Sequence, residues 1–313
     1  MNSFTGVHTL YVQPEAIENI YSRKTLSVED LSALELDSKE RTTLGFLEKK
    51  AFDWTNCRNL FLVLTADSWG TKQTAIVRVG HGCVDLVKDF GRSSIFGLKP
   101  RNKEQNMALN TLTDEMVRCQ VICGRAGGGK TLLALATALH LLFEQKLGYE
   151  KLILTRPMSP VGKDLGSLPG EVNEKFLPYL NNYFDNIDIL MGRNGRGYLE
   201  RAVEKGQIEF LPLQLIGGAS WHNAIVIADE VQSLTSEEMY ALGTRPASGS
   251  KLILLGDFRQ RYGKRGDLTK TGLYQLVNSP VAHQAKEIAI IELLKTERSR
   301  MAQLFGDIFT EED

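Results

Sequence analysis

The stretch Gly-Arg-Ala-Gly-Gly-Gly-Lys-Thr at residues 124–131 decides the fold prediction for this chain. It matches the pattern G-x-x-x-x-G-K-[ST] and lies between an apolar run, Cys119 to Cys123, and a segment of helical periodicity, Thr131 to Phe143. A strand, a phosphate-binding loop and a helix are therefore predicted in the order that this loop requires. A glycine-rich turn is the alternative that the eight residues alone leave open.

The residue types of this loop indicate how it would hold a nucleotide. Glycines let consecutive backbone N–H groups turn towards phosphate oxygens, and the start of the following helix adds a partial positive charge. Lys130 would reach the β- and γ-phosphates, and the hydroxyl of Thr131 would hold Mg²⁺. We expect the nucleotide to be bound by the whole loop, namely Gly124, Arg125, Ala126, Gly127, Gly128, Gly129, Lys130, Thr131 and Leu132.

Residues 99–313 are predicted to form an α/β domain around this loop. Near-continuous apolar runs alternate there with helical segments, a pattern that favours a parallel sheet buried on both faces and flanked by helices. The predicted strands are Cys119–Cys123, Lys151–Thr155, Ile208–Leu211, Ala224–Ala228, Leu252–Leu255 and Ile288–Ile291.

Residues 1–98 are predicted to form a smaller α+β region. Short helical patterns come first, and β-branched runs joined by a turn then predict a hairpin with a third strand, a β module over about residues 59–87. The predicted elements are helices at Pro14–Tyr21 and Ser27–Leu36, an exposed charged stretch at Asp37–Lys50, and strands at Asn59–Thr65, Thr74–Val79 and Cys83–Val87.

Composition restricts the function classes. Among the 313 residues no apolar stretch reaches membrane-spanning length, and Met1 to Leu10 lacks the features of a signal peptide. Four cysteines without a C-x-x-C pair suit a reducing compartment, so we expect a cytoplasmic protein with no membrane partner. A net charge of −1 means that any nucleic-acid binding would depend on a local patch.

A second motif supplies the carboxylates that the reaction needs. The apolar strand Ala224–Ala228 ends in Asp229 and Glu230, as a Walker B element does. Asp229 would lie near the Mg²⁺ shell, and Glu230 could polarise the attacking water as a general base. Such a base favours hydrolysis over phosphoryl transfer by a small-molecule kinase. Two acids that cap the following helix are the alternative.

Two glutamines are further candidates for the site. Gln260 follows the strand Leu252–Leu255, where its side chain could sense the γ-phosphate and orient water. Gln105 carries the donor and the acceptor that are needed to recognise an adenine edge. An exposed glutamine at the start of a helix is the alternative interpretation of Gln105.

Two basic stretches could contact nucleic acid. Residues 192–198 form a glycine-spaced basic stretch that ends in Tyr198, and residues 259–265 hold a second basic run around Tyr262. Either tyrosine could stack on a base while the arginines face phosphates. A pair of solvated, flexible loops is the alternative.

Taken together, these motifs resemble the PhoH-like ATPases, a family related to the superfamily 1 helicase motors. The resemblance covers residues 95–309 and is most specific where Thr155-Arg156-Pro157, Leu168-Pro169-Gly170 and residues 229–232 occur together. The matching stretches are GRAGGGKTLLALA, LTRPMSPVGKDLGSLPGEVNEKFLPYL, IEFLPLQLIGGASWHNAIVIADEVQ and SKLILLGDFRQ.

The resemblance implies a RecA-like core that binds ATP with Mg²⁺, with Gln105 at the adenine and Gln260 as the motif III glutamine. It also implies a homo-oligomeric ring, commonly hexameric, in which an arginine of the neighbouring subunit reaches the γ-phosphate. The candidates are Arg298, which we favour, then Arg245, and Arg300. A surface or salt-bridge role is the alternative for each arginine.

RNA or single-stranded nucleic acid is the partner that the resemblance implies, with hydrolysis driving a ring motor. An ATP-gated assembly scaffold that moves no nucleic acid is the alternative function. The longer branch of the family carries a PIN-type nuclease domain in front of the ATPase domain. The first hundred residues are too short for that domain plus the β module, so we predict no nuclease activity.

Overall fold

The computed structural model of the chain describes residues 8–37, 54–68, 70–145, 147–157, 172–258, 267–296, 301 and 304. Two sheets organise these residues, one in the N-terminal region and one around the phosphate-binding loop. Among the helices in the described ranges, none has the length and apolar character needed to cross a membrane.

The N-terminal region folds as a sheet covered on one face by helices. Its elements are β1 (His8–Tyr11), α1 (Pro14–Arg23), β2 (Thr25–Ser27), α2 (Val28–Ala33), β3 (Phe61–Ser68), β4 (Thr71–Val79) and β5 (Cys83–Leu86). The strand order is β1-β3-β4-β5-β2, with β1 parallel to β3 and all other neighbours antiparallel.

The predicted hairpin and third strand of this region are confirmed, but the sheet is larger than the predicted module. The flanking strands β1 and β2 were not predicted, because four and three residues are too few to show strand periodicity. The second helix is shorter than predicted, and the Ser27 side chain caps it by accepting a hydrogen bond from the Asp30 N–H at 2.9 Å. The charged stretch predicted after Asp37 lies outside the described residues.

The α/β domain begins with α3 (Lys103–Leu112), β6 (Cys119–Gly124) and α4 (Lys130–Leu139), which continues as a π-helical turn (His140–Glu144). The chain then forms β7 (Lys151–Arg156), α5 (Val172–Met191), α6 (Gly195–Glu204), β8 (Ile208–Pro212) and β9 (Ala224–Ala228). The elements that follow are α7 (Ser236–Gly243), β10 (Lys251–Gly256), α8 (Gly272–Val277), α9 (Pro280–Gln284) and β11 (Ile288–Leu293).

All six predicted strands of this domain are confirmed. They form one parallel sheet in the order β11-β6-β10-β9-β7-β8, and helices flank it as expected of a RecA-like core. Every residue of β9 and β10 is buried, which explains why these strands are apolar apart from Lys251 at the start of β10. Since β10 lies between β6 and β9, the loops that follow these three strands meet at one edge of the sheet.

Asn59 joins the N-terminal sheet to the α/β domain. This buried residue has a left-handed backbone, with φ at 57°, and its Nδ2 donates to the carbonyls of Lys286 at 3.0 Å and Ile288 at 2.7 Å. Its Oδ1 accepts from the guanidinium of Arg78, which also pairs with Asp114 at 2.7 Å. The N-terminal sheet is thus fixed to edge strand β11 and to the turn that follows α3.

Candidate nucleotide-binding site

The phosphate-binding loop leaves β6 at Gly124 and enters α4 at Lys130. Gly127 and Gly129 have φ values of 86° and 88°, in the left-handed region that glycine adopts without strain. Gly124 has φ at 142°, and a Cβ there would lie 2.4 Å from the carbonyl oxygen of Leu293 on the neighbouring strand. The first glycine is therefore required by the close approach of β11 as well as by the turn.

The loop borders a cavity of about 370 Å³ at the carboxyl edge of the sheet, a volume suited to a small ligand. Arg125 of the loop is exposed and does not line this cavity, while Gly124 and Gly128 are buried behind it. The residues that line the cavity are Ala126, Gly127, Gly129, Lys130, Thr131, Leu132, Asn182, Asn186, Asp229, Glu230, Gly256 and Asp257.

Lys130 holds the loop in its turned conformation. Its ammonium group donates to the carbonyl oxygens of Gly124 at 2.7 Å and Arg125 at 3.1 Å. An ammonium group has three N–H donors, so one is left for a phosphate oxygen at the cavity wall. The binding of phosphate by Lys130 stays a prediction that this geometry permits.

Thr131 and Asp229 come together at the predicted metal position. The hydroxyl of Thr131 donates to Oδ2 of Asp229 at 3.2 Å. Burial and the nearby charge of Glu230 raise the pKa of the Asp229 carboxyl, against the opposing charges of Arg156 and Lys130. Hydroxyl and carboxylate oxygens are the ligands that Mg²⁺ prefers, so these two side chains fit the ion.

Glu230 is held in a strained conformation next to Asp229. Its φ is 60°, a left-handed value that costs a non-glycine residue free energy, and its N–H donates to Oδ1 of Asp229 at 2.9 Å. The side-chain amide of Gln232 donates to Oε2 of Glu230 at 2.6 Å and fixes the direction of that carboxylate. The backbone therefore places both carboxylates at the cavity.

A chain of hydrogen bonds connects Glu230 to the loop. Oε1 of the buried Gln232 accepts from the N–H of Asp257 at 3.1 Å, and Oδ2 of Asp257 accepts from the N–H of Ala126 at 2.9 Å. The sequence motifs alone do not assign these roles to Gln232 and Asp257. The only sequence signal for Asp257 is its position directly after an apolar strand. Its contact with the loop depends on the order of the strands, which cannot be predicted from the sequence pattern.

Gln105 lies behind the loop, on the first turn of α3. It is buried, so the exposed helix-start interpretation was wrong. Its Nε2 donates to the carbonyl of Gly128 at 3.0 Å, and its Oε1 accepts from the N–H of Arg101 at 2.8 Å. A side-chain amide can make two hydrogen bonds at each end, so the contact with adenine stays a prediction that these bonds permit.

Of Gln260 and the predicted arginines, Arg245 alone lies within the described residues, and it does not line the cavity. Gln260, Arg298 and Arg300 lie outside those residues, as does the basic run around Tyr262. The carbonyl of Arg245 accepts from the N–H of Trp221 at 3.0 Å, just before β9 begins. Arg245 therefore lies at the opposite edge of the sheet from the loop, and its action on a neighbouring subunit stays a prediction.

The glycine-spaced basic stretch at residues 192–198 is not a loop, so that part of the prediction was wrong. It forms a 3-10 turn at Gly192–Asn194 and the first residues of α6. The ring of Tyr198 packs edge-on against Phe143, with centroids 5.6 Å apart. The half-buried ring therefore has a packing contact within the domain, and the stacking of Tyr198 on a base stays a prediction.

Burial keeps the two cysteines of β6 in the thiol form. It raises the pKa of Cys119 to about 12 and that of Cys123 well above its ordinary range. Both thiols are free. They serve as small residues of the strand, with Cys123 buried next to the loop and Cys119 partly buried at the other end of β6.

Comparisons with known proteins show the family of this chain. Residues 97–310 match the family model described as PhoH-like protein. Protein PhoH2 of Bacillus subtilis is 33% identical over 311 residues, which cover 97% of this chain and 64% of that protein. The PhoH-like protein of Bacillus subtilis is 39% identical over 175 residues, which cover 56% of this chain and 52% of that protein.

The chain spans about two fifths to two thirds of the length of the curated relatives that it matches. Among solved structures, the Pif1 helicase from Candida albicans aligns with a TM-score of 0.34 and 15% identity, over 67% of this chain and 43% of that one. A likeness at this level carries no argument about function. The family model and the relatives are sufficient by themselves: the chain belongs to the PhoH-like protein family.

Proposed function

We propose that this chain is a Mg²⁺-dependent ATP hydrolase that couples hydrolysis to RNA or single-stranded nucleic acid as a homo-oligomeric ring. One observation carries the hydrolase part of the proposal. Thr131, Asp229 and Glu230 lie around the same cavity as the phosphate-binding loop, although they come from separate parts of the chain. This arrangement supports a metal and an activated water beside the terminal phosphate.

The loop, Thr131 and the two carboxylates each have a role in this mechanism. The loop N–H groups and Lys130 would hold the phosphates. Thr131 and Asp229 would hold Mg²⁺, which would neutralise part of the phosphate charge. Glu230 would accept the proton of the attacking water as the water oxygen bonds to the terminal phosphorus and the bond from that phosphorus to the bridging oxygen of ADP, the leaving group, breaks. Gln232 keeps the carboxylate of Glu230 pointed in one direction, so the base is oriented in advance.

The finer parts of the proposal come from family membership and from the resemblance to superfamily 1 motors. Adenine contact by Gln105, water orientation by Gln260 and an arginine supplied by a neighbouring subunit belong to this group. The nucleic-acid partner belongs to it too, because the near-neutral charge of the chain gives no electrostatic argument for it.

The experiment that tests the coupling measures phosphate release from ATP with and without single-stranded RNA, at low and at moderate salt. We expect RNA to raise the rate, and we expect the stimulation to weaken with salt because phosphate contacts release counterions. A Lys130→Ala variant measured in parallel shows which phosphate release belongs to this site.

Two results would contradict parts of the proposal. A hydrolysis rate that does not change with RNA or single-stranded DNA at either salt concentration would contradict the motor function and favour the ATP-gated assembly scaffold. Equal rates of phosphate release in the wild type and the Lys130→Ala variant would contradict the assignment of hydrolysis to this cavity.

A further inference from the structure

Two asparagines on α5 line the nucleotide cavity, and neither has a role in the mechanism described above. Asn182 and Asn186 are one helical turn apart and therefore share a face of α5. Nδ2 of Asn186 donates to the side-chain oxygen of Asn182 at 3.0 Å and also to its backbone carbonyl. Asn186 thereby fixes which end of the Asn182 amide is the oxygen and which is the nitrogen.

The nitrogen of the oriented Asn182 amide faces the metal position. Nδ2 of Asn182 lies 3.4 Å from Oδ2 of Asp229, the oxygen that also accepts the hydroxyl hydrogen of Thr131. An ionised carboxylate only accepts hydrogen bonds, so this direction of the amide is the favourable one. One oxygen of Asp229 is thus shared between the loop helix α4 and α5.

The position of α5 does not depend on the two asparagines. Tyr183 and Ile187 on the same helix are fully buried in the core. The hydroxyl of Tyr183 donates to the carbonyl of Thr155 at 3.4 Å, and the same carbonyl accepts the N–H of Asp229 at 2.9 Å. The core and this carbonyl therefore anchor the helix beside Asp229 when an asparagine side chain is removed.

The Asn182 amide has a second N–H that is not used by Asp229. Asp229 and Glu230 give this part of the cavity wall two carboxylates, which repel a phosphate group unless cations and N–H donors offset them. A neutral N–H donor beside these carboxylates suits a phosphate oxygen, whereas a third acid would add to the repulsion.

We propose that Asn182, oriented by Asn186, binds the terminal phosphate of the nucleotide and so distinguishes a triphosphate from a diphosphate. This proposal rests on the nucleotide site of the proposed function. The terminal phosphate is favoured over the others because Asn182 contacts Asp229, which in turn contacts Glu230, the residue that would activate the water that attacks that phosphate.

The test measures equilibrium binding of two Mg²⁺ complexes, a non-hydrolysable ATP analogue and ADP, to the wild type and to matched variants. We expect Asn182→Ala to weaken binding of the analogue by about tenfold, the size of a lost hydrogen bond to a charged group, with little change for ADP. Asn186→Ala should give the same pattern with a smaller loss. Asn181→Ala is the control, since Asn181 is the exposed neighbour on α5 and does not line the cavity.

A charge variant separates hydrogen bonding from shape. Asn182→Asp keeps the size of the side chain but places a carboxylate beside Asp229 and the phosphate. We expect it to weaken binding of the analogue more than Asn182→Ala does. If Asn182→Asp instead binds the analogue as tightly as the wild type, the proposed contact is contradicted.

The outcomes separate this proposal from the proposed function. Equal weakening of analogue and ADP by Asn182→Ala would show a purely structural role and overturn the proposal. Unchanged affinities for both ligands in Asn182→Ala would also overturn it, even if the wild type hydrolyses ATP. Absence of nucleotide binding by the wild-type protein would instead contradict the proposed function and this proposal together.

Discussion

Oγ1 of Thr131 lies 3.2 Å from Oδ2 of Asp229, although the two residues are 98 positions apart in the chain. The contact arises because β10 pairs with both β6 and β9 and aligns their carboxyl ends at one edge of the sheet. Two oxygen ligands of the kind that Mg²⁺ prefers therefore face one cavity.

The first prediction concerns this pair. Thr131→Val removes the hydroxyl with little change in volume, and we expect it to abolish most of the gain in ATP affinity that Mg²⁺ provides. Thr131→Ser keeps the hydroxyl and should retain that gain. The measurement is the dissociation constant of ATP with Mg²⁺ and with a chelator. An equal Mg²⁺ effect in the valine and serine variants would show that the hydroxyl is not a ligand.

The second prediction concerns the first glycine of the loop. In Gly124→Ala the new methyl group would lie 2.4 Å from the carbonyl oxygen of Leu293, on a backbone with φ at 142°. We expect the free energy of unfolding to fall by about 3 kcal/mol, from overpacking and backbone strain together. Denaturant unfolding monitored by circular dichroism measures this loss.

Gly206→Ala is the matched control for that experiment. Gly206 also has a positive φ, 68°, but a Cβ there meets no atom within 4 Å. Only the backbone strain applies, so we expect a loss of about 1 kcal/mol. Similar losses in the two variants would contradict the account of β11 packing against the loop.

Much of the fold can be predicted because each buried strand of a parallel sheet shows a local sequence pattern. The strands β9 and β10 are buried on both faces, so they appear in the sequence as continuous apolar runs. The order of the strands in the sheet produces no such pattern, because it depends on pairing between segments that are distant in the chain. The link from Ala126 through Asp257 and Gln232 to Glu230 depends on that order and was missed.

The remaining part of the site was missed for a different reason. Asn182 and Asn186 lie on a helix whose other side packs in the core, and polar residues at such positions look like any solvated helix face in the sequence. The opposite error occurred at residues 192–198, where glycines suggested a loop. The glycines there are accommodated in a turn and a helix that pack against α5.

The third prediction concerns the dependence of stability on pH. Lys251 begins β10, is 1% exposed, and donates from Nζ to the carbonyls of Asp114 at 2.8 Å and Val117 at 2.6 Å. Burial lowers its pKa from 10.5 to about 7. Between these two values the unfolded chain binds more protons than the folded chain, so the free energy of unfolding rises with pH, by at most about 1.4 kcal/mol per pH unit.

Lys251→Met removes this titration, so the stability of the variant should rise less steeply between pH 7.5 and pH 9.5. Lys151→Met is the control, because Lys151 begins the neighbouring strand β7 but its side chain is about one-third exposed and pairs with Glu209. Denaturant midpoints across this pH range provide the comparison. Identical slopes in the wild type and Lys251→Met would show that the lysine stays charged in the folded protein.

The fourth prediction concerns the ring. We expect sedimentation velocity to show a species several times larger than the 34.9 kDa chain, and Arg298→Ala or Arg245→Ala to lose ATP hydrolysis while retaining ATP binding. Mixing the inactive arginine variant with Lys130→Ala should restore activity, since an intact loop and an intact arginine then meet at some interfaces. Arg92→Ala, on a side chain that is 91% exposed, is the control and should behave as wild type.

A monomer at every concentration, with and without nucleotide, would contradict the action of an arginine between subunits. Full activity of both arginine variants would contradict the two candidates that we rank highest.

The central claim is that the cavity beside Gly124–Thr131 hydrolyses ATP with Mg²⁺. Its most direct test is phosphate release by the purified chain in four samples: wild type, wild type with a chelator, Lys130→Ala and Glu230→Gln. We predict Mg²⁺-dependent hydrolysis by the wild type and a loss of about 100-fold or more in Glu230→Gln, which still binds ATP. Lys130→Ala should lose both binding and hydrolysis. Hydrolysis that persists undiminished in both variants would contradict the account.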